Sequence, residues 1–387
     1  MPLASSPPDA AAPPPDLPGI EAHPHARAVL LGALAPAGHV SHAYLFHGPA
    51  GTGKRALARA FAGALLVAGA RTPETVAERV ARDCHPDLTW VRPSGAAEML
   101  VADIEEPVVA AAARTPFESA RRVFVIEAVE TMNDQAANRM LKTLEEPPAF
   151  AHLLLLSDRR EDVLATIVSR CQQVRFDPLA PGSIAAGLAG VEGERAQACA
   201  RLALGDARLA ALLASGEGVG LRASAEGYAR AALAGTTEGR PWLGLLEVAR
   251  TAGVAAGETA QERLAGELEL VPVRERKRME RESLEARRRG ERRTRTRTLE
   301  LALRLVELWL RDVMCVCEGA GELIHARDRR AQLEADAEGR DPMRLREGIS
   351  LVGDTRLTLA VNVSEELALE ALAYRLQALL GAAPALS

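Results

Sequence analysis

The chain has 387 residues, 48% hydrophobic and 26% charged residues and a net charge of −5, values typical of a soluble globular protein of two or three domains. The negative balance excludes a global attraction to nucleic acid, so any such contact must be local. Five scattered cysteines without a Cys-x-x-Cys pair favour a reducing cytoplasm over a disulfide framework, and neither a membrane span of ~20 apolar residues nor a signal-peptide pattern is present.

The first predicted elements lead into a glycine-rich loop. Residues 1–20 are rich in Pro and Ala, and we expect a disordered tail. The pattern then predicts a helix over Ala26–Leu34 and a strand over Ala43–Phe46. The loop Gly48-Pro49-Ala50-Gly51-Thr52-Gly53-Lys54-Arg55 follows the strand directly, and a helix over Ala56–Val67 follows the loop. This order of elements predicts a phosphate-binding site.

The loop departs from a complete phosphate-binding motif at its last position. Glycines let backbone N–H groups turn towards a polyphosphate, and the lysine reaches its outer phosphates. The next residue should be Ser or Thr, whose hydroxyl ligates Mg²⁺, but here it is arginine. The alternative is a glycine-rich turn that binds nothing. We assign nucleotide binding to Gly48, Gly51, Thr52, Gly53, Lys54 and Arg55, together with Glu127 further along the chain.

A second departure lies at the end of a later strand. Apolar runs predict strands at Leu88–Val91, Val123–Ile126 and Leu153–Leu156, with a weaker one at Val174–Phe176. In hydrolytic sites of this kind a strand ends in two acids, of which one holds Mg²⁺ and one polarises the attacking water. Here the two residues are Glu127 and Ala128, and only Glu127 could reach a metal ion. The two departures together predict a chain that does not hydrolyse ATP efficiently.

Helices alternate with these strands. One is predicted over residues 103–113, and another over 133–146, capped by Asn133 and ended by Pro147-Pro148. The alternation predicts an α/β domain with a parallel sheet over residues 21–180. Helical patterns then predict a small lid over 181–240 and an all-helical C-terminal domain over 241–387.

The C-terminal domain contains two contrasting segments. Arg274–Arg297 carries twelve basic and five acidic residues without interleaved aromatics, which favours a solvated helix over a DNA-binding one. Leu299–Met314 is apolar at helical spacing and predicts a core or subunit interface. A last amphipathic helix is predicted over Leu367–Leu380, headed by Asn362 and Ser364.

Several motifs together resemble the delta-prime subunits of bacterial DNA polymerase III clamp loaders, members of the AAA+ family. The residues that carry this resemblance are His42-Ala43-Tyr44-Leu45-Phe46, His85-Pro86-Asp87, Met132-Asn133-Asp134, Ala136-Ala137-Asn138, Leu141-Lys142-Thr143-Leu144-Glu145-Glu146-Pro147-Pro148 and Ser169-Arg170-Cys171-Gln172. The resemblance covers roughly residues 22–180 and is looser beyond them.

The resemblance implies a five-membered assembly of AAA+ subunits held together by C-terminal collar helices, which loads a sliding clamp onto primed DNA. In it, Arg170 is expected to act as an arginine finger in the ATP site of a neighbouring subunit. The chain's own ATP would be structural, Mg²⁺ is left open, and its partners would be other clamp-loader subunits, the clamp indirectly and primed DNA. Such an assembly belongs to a DNA polymerase holoenzyme in the bacterial cytoplasm.

The resemblance also suggests weaker assignments. Many relatives carry a four-cysteine zinc module before His85, but here only Cys84 precedes it, so we expect no zinc. Ser157 and Asp158 stand where the family places a polar sensor, and Arg208 stands near a sensor arginine, although a surface arginine is the simpler interpretation. Alternatives to a delta-prime role are an ATP-hydrolysing gamma/tau-like motor subunit, an unrelated P-loop nucleotide kinase, and a structural module without nucleotide.

Overall fold

The computed structural model describes residues 17–68, 70, 72–94, 98–269, 273–359 and 364–381. The predicted tail, apart from residues 17–20, and Asn362 therefore lie outside the described residues. The chain divides into two compact units, residues 1–179 and 180–387, each with its own hydrophobic core.

A parallel sheet forms the centre of the first unit. Its described strands are β1 Ala43–His47, β2 Leu88–Val91, β3 Arg122–Ile126, β4 Ala151–Ser157 and β5 Gln172–Arg175. They lie in the order β2-β3-β4-β1-β5, and every pairing is parallel. The predicted α/β class and its parallel sheet are confirmed. Because β1 runs parallel to its neighbours β4 and β5, the loop that follows it starts at the carboxyl edge of the sheet, beside the ends of both strands.

The last predicted strand was placed two residues too late. The strand over Gln172–Arg175 begins with two glutamines and ends before Phe176, although the Phe176 N–H still donates to His47 O at 2.8 Å. As the edge strand, β5 pairs only with β1, so its outer side does not need the apolar run that marks the central strands.

Helices cover both faces of the sheet. The first unit contains α1 Pro24–Leu34, α2 Lys54–Val67, α3 Pro73–Ala81, α4 Val101–Ile104, α5 Asp134–Glu145 and α6 Ala165–Val168. Leu57, Phe61 and Leu65 of α2 pack on one face with Tyr44 and Phe46. Residues of α4, α5 and α6 pack in a second cluster on the other face.

Two helix predictions in this unit have different outcomes. The cap of α5 is confirmed, because Asn133 Oδ1 accepts the Ala136 N–H at 2.9 Å and the helix ends before Pro147. The helix expected over 103–113 begins instead at Val101, and from Glu105 to Ala110 it is π-helical. Pro107 explains the irregularity, since an interior proline removes a backbone donor and clashes with the preceding turn.

The His85-Pro86-Asp87 motif has a structural role. Asp87 is fully buried, and its carboxylate accepts the backbone N–H groups of Phe117, Glu118 and Ser119 at 2.6–3.0 Å. These bonds hold the segment before β3 against the start of β2, next to the strand that carries Glu127.

The second unit is helical throughout its described elements. They include α7 Pro181–Gly187, α8 Gly193–Leu202, α9 Ala207–Ala214, α10 Gly216–Ala234, α11 Trp242–Glu269, α12 Val273–Cys317, α13 Arg330–Ala337, α14 Pro342–Leu359 and α15 Glu365–Leu380. One core cluster runs from Cys199 in α8 to Leu380 in α15. The division of this unit at residue 240 into lid and collar stays a prediction.

The basic and the apolar segments form one continuous helix. α12 has 45 residues and includes all of Arg274–Arg297 and Leu299–Met314. The apolar stripe is buried in the unit's core, as expected, through Leu299, Leu303, Val306, Leu310 and Val313. Most side chains of the basic segment lie outside the described residues, so its solvated character stays a prediction. Among the described helices, none is both long and apolar enough to cross a membrane.

Candidate functional site: the phosphate loop and Arg170

The phosphate loop adopts conformations that require its glycines. Gly48, Gly51 and Gly53 have φ values of 143°, 70° and 90°, in the region that side chains disfavour. At Gly48 a Cβ atom would also lie 2.0 Å from the Phe176 backbone oxygen. α2 begins directly after Gly53, so the first N–H groups of the helix lack intrahelical acceptors. This is the backbone arrangement that binds phosphate groups.

Lys54 lies inside the loop that it is predicted to serve. Its side chain is only 6% exposed, and Nζ donates to Gly48 O and Pro49 O, both at 2.6 Å. Nζ also lies 2.7 Å from Asp158 Oδ1. The predicted neighbour Asp158 is therefore at the site, whereas the buried Ser157 Oγ accepts the Arg159 N–H. A phosphate would replace the Asp158 carboxylate and the loop carbonyls as partners of Nζ.

Arg55 and Glu127 form an ion pair across the gap between α2 and β3. The Glu127 side chain is 4% exposed, and its Oε1 also accepts Trp90 Nε1–H at 2.6 Å and Arg92 Nε–H at 3.1 Å. Three donors in total thus engage the two carboxylate oxygens of Glu127. Glu127, which was expected to be able to reach a metal ion, instead balances the positive charge of two arginines, Arg55 and Arg92.

These contacts argue against a divalent cation at this position. A magnesium ion needs oxygen ligands and an open coordination sphere. Arg55 supplies no oxygen and repels a cation, and the nearest buried carboxylate already has three donors. The residues present therefore fit a phosphate group but do not fit Mg²⁺.

The position of a catalytic base is occupied by Ala128. It follows Glu127 directly and adopts a left-handed conformation, with φ of 53°. A methyl group cannot accept a proton, so this position cannot activate a water molecule.

A buried histidine supports the loop from outside it. Nε2–H of His23, at the start of α1, donates to Thr52 O at 2.8 Å, and the ring packs on Phe176 with centroids 4.8 Å apart. Burial lowers the pKa of His23 from its ordinary value. Thr52 is 2% exposed and its hydroxyl donates to Pro49 O at 2.9 Å, so its side chain stabilises the loop itself.

Arg170 lies away from this loop, at the end of α6. It is 36% exposed, and its guanidinium donates to Thr166 O at 3.0 Å and to Glu145 Oε1 at 2.6 Å. The flanking residues Ile167 and Cys171 belong to the core cluster on the face of the sheet opposite to α2. The structure thus places Lys54, Arg55, Glu127 and Asp158 together but holds Arg170 with α5.

Two further assignments concern residues outside these groups. Arg208 is exposed on α9, in the second unit. Cys84 is exposed, with Sγ 3.5 Å from Arg79 O, while His85 Nδ1 accepts the Asp87 N–H at 3.1 Å, so both have structural partners.

Sequence reasoning missed four residues at these sites: His23, Trp90, Arg92 and Glu145. A signal existed for two of them, because Trp90 and Arg92 lie at the carboxyl end of β2, and β2 neighbours the strand that carries Glu127. His23 and Glu145 lie 29 and 25 residues along the chain from their partners Thr52 and Arg170. A local sequence pattern does not reveal contacts between residues so far apart in sequence.

Comparisons with known proteins find similarity to subunits of DNA polymerase III. Residues 25–180 match the family model described as "DNA polymerase III, delta subunit". Over 138 residues the chain is 40% identical to DNA polymerase III subunit delta' of Pseudomonas aeruginosa, a match covering 34% of this chain and 42% of that protein. The delta' subunit of Bacillus subtilis is 36% identical over 151 residues, a match covering 38% of this chain and 45% of that protein. The predicted resemblance is confirmed for this unit.

Other relatives are less similar. Subunit tau of B. subtilis is 34% identical over 147 residues, covering 35% of this chain and 24% of that protein. A DNA polymerase III gamma subunit-related protein of Thermotoga maritima aligns over 87% of this chain and 94% of its own, with 15% identity and a TM-score of 0.43. The chain spans less than half of the length of the curated delta' relatives that it matches.

Proposed function

We propose that this protein is a delta-prime-type subunit of a bacterial DNA polymerase III clamp loader. In this role it does not hydrolyse ATP but supplies Arg170 to the ATP site of a neighbouring subunit. Its partners are other clamp-loader subunits of a hetero-pentamer, with the sliding clamp and primed DNA bound by the whole assembly in the cytoplasm. The first unit's similarity to delta' subunits supports this proposal.

The observation that carries the proposal is the position of Arg170. Its guanidinium is exposed, and the residues beside it are anchored on the sheet face opposite to the chain's own loop helix. A planar, permanently charged group in such a position suits the charge that develops on a transferred phosphoryl group. Arginine fingers supplied in trans are worth ~10³–10⁵ in rate.

The chain's own site supports a role other than that of a motor. Arg55 replaces the metal-ligating hydroxyl, the Glu127 carboxylate is engaged by three donors, and Ala128 replaces the base. A subunit with these changes can still be needed for hydrolysis at a neighbouring site. Replacement of Arg170 then removes the subunit's contribution to ATP hydrolysis at the neighbouring site, whereas replacement of Lys54 does not.

A motor role like that of gamma/tau subunits is the second candidate, favoured by the 34% identity to a tau subunit. It requires ATP hydrolysis at the chain's own loop, which the residues at positions 55 and 128 oppose. The P-loop kinase alternative lacks support, because the family match over residues 25–180 concerns a polymerase subunit.

The test is reconstitution with gamma/tau-type and delta-type subunits and a sliding clamp. The assembly with this chain should place the clamp on primed DNA with ATP, and omission of this chain should abolish loading. The purified chain alone should release no phosphate from ATP. A loader that works equally well without this chain would contradict the proposal, and turnover by the isolated chain would favour the motor role.

A further inference from the structure

The ion pair between Arg55 and Glu127 lies at the end of the chain's own phosphate loop. In a complete site, Mg²⁺ is held at this place between the helix and the strand, and it neutralises part of the charge of the phosphates. Here a guanidinium stands at the end of the loop, tied to the strand carboxylate that would otherwise approach the metal. The protein thus carries a permanent cation of its own where a divalent ion would be required.

Arg55 has donors left for a ligand. A guanidinium has five N–H groups, and the structure pairs its Nη2 with Glu127. The side chain is 52% exposed, whereas the carboxylate partner is 4% exposed. The inner part of the guanidinium is therefore anchored on a buried acid, and the outer part is open to a ligand at the mouth of the loop. Arginine forks match phosphate oxygens in geometry and in charge.

The loop keeps the other features that a phosphate requires. Three glycines hold left-handed conformations, and the α2 N-terminus begins at Lys54. Nζ of Lys54 is buried among two carbonyl oxygens and the half-exposed Asp158, so it is positioned inside the loop. A ligand phosphate is a stronger partner for Nζ than a neutral carbonyl, because both groups are charged.

We propose that this loop binds a nucleoside triphosphate as its metal-free anion, with Arg55 in the place of the divalent cation. Lys54 and the loop backbone bind the phosphates, while Glu127, with Trp90 and Arg92, fixes the orientation of Arg55. A nucleotide complexed with Mg²⁺ binds no better than the free anion, because the cation meets a guanidinium instead of oxygen ligands. This proposal concerns only the chain's own site and stands whether or not Arg170 acts in trans.

The experiment measures binding of a fluorescent ATP analogue to the full chain, once with EDTA and once with excess Mg²⁺. The expected result is saturable binding in EDTA, of equal or greater affinity than with Mg²⁺. Absence of binding in EDTA, or binding that needs Mg²⁺, would overturn the proposal. Neither result depends on clamp loading, so the proposed function fails or succeeds separately.

Variants identify the residue responsible. Arg55→Thr should weaken binding in EDTA by about tenfold or more, the effect of losing a charge-assisted hydrogen bond, and should make binding stronger with Mg²⁺ than without it. Arg139→Thr is the control, since Arg139 is about as exposed as Arg55 but pairs with the exposed Glu105 on the opposite face of the sheet. If Arg55→Thr bound the analogue in EDTA as tightly as the control does, Arg55 would have no part in binding.

A further variant covers the case in which Arg55→Thr does not fold. Glu127→Gln keeps an acceptor for Trp90 and Arg92 but removes the negative charge beside Arg55. It should bind the analogue more tightly in EDTA than the wild type does, because removal of a buried negative charge beside the phosphates outweighs the weaker orientation of Arg55. Weaker binding by a folded Glu127→Gln protein would contradict the proposed arrangement.

Discussion

The guanidinium of Arg170 and the carboxylate of Glu145 are joined by a hydrogen-bonded ion pair of 2.6 Å between Nη2 and Oε1. Glu145 is the last residue of α5, and Arg170 follows α6, so the pair connects two elements that pack on the same face of the sheet. A second bond from Nη1 to Thr166 O fixes the guanidinium plane. In this structure the two bonds hold Arg170 beside α5.

Glu145 is thus predicted to be a positioning residue for Arg170. Glu145→Ala should lower the kcat of ATP hydrolysis by the neighbouring subunit's site about tenfold, with KM unchanged, because a finger that loses its orientation costs rate and not substrate binding. Steady-state ATPase assays of the reconstituted assembly measure both quantities. Glu145→Gln, which keeps an acceptor oxygen, should recover most of the rate. Equal rates for Glu145→Ala and the wild type would show that Glu145 does not position Arg170.

The loop conformation makes Gly48 intolerant of any side chain. Gly48→Ala should destabilise the protein by at least about 2 kcal/mol, because its φ of 143° disfavours a Cβ atom and the Phe176 oxygen already occupies that space. Urea unfolding measures the change. The control is Gly63→Ala in α2, where a Cβ would meet Val80 Cγ1 at 3.5 Å, and we expect a gain of about 0.5–1 kcal/mol. Equal stabilities for the two variants would show that the loop adopts another conformation.

Burial of His152 predicts a loss of stability in acid. His152 lies in β4, its Nδ1–H donates to Ser41 O at 3.0 Å, and burial lowers its pKa from 6.5 to about 4. Below pH 6.5 the unfolded chain binds a proton that the folded chain does not, so stability falls as the pH drops from 6.5 towards 4. Between pH 7 and 4.5 this single group should cost about 2 kcal/mol.

Comparison of His152→Asn with the wild type isolates that contribution. The variant has no titrating ring, so its free energy of unfolding should decline less over this pH range, by about 2 kcal/mol. A decline as steep in His152→Asn as in the wild type would mean that other groups cause the acid sensitivity.

The sheet could be predicted because it is parallel and buried on both faces, so its central strands are unbroken apolar runs such as Leu153–Leu156. The glycine loop could be placed because its residues are contiguous. The start of β5 was missed because an edge strand tolerates polar residues, and the π-helical stretch was missed because Pro107 disturbs a helix in a way that depends on its neighbours.

The site was predicted in its residues but not in its contacts. Lys54, Arg55 and Glu127 were identified from motif positions, yet the sequence does not report that Arg55 pairs with Glu127 or that Asp158 reaches Lys54. These pairs depend on the strand order, in which β3 and β1 both neighbour β4. Glu145 was quoted only as part of a motif, and its pairing with Arg170 depends on the packing of α5 beside α6.

The central claim is that Arg170 acts in the ATP site of a neighbouring subunit. Its most direct test is the amount of ATP hydrolysed in a single turnover by the reconstituted loader containing Arg170→Ala. The control is Arg114→Ala, which removes an exposed arginine that pairs with the exposed Glu106. Arg170→Ala should slow ATP hydrolysis by ~10³-fold or more at the one neighbouring site that receives the arginine. The amount of ATP hydrolysed in the fast phase of the single turnover should therefore fall by one molecule per assembly. An unchanged fast phase with Arg170→Ala, equal to that of the control, would contradict the account.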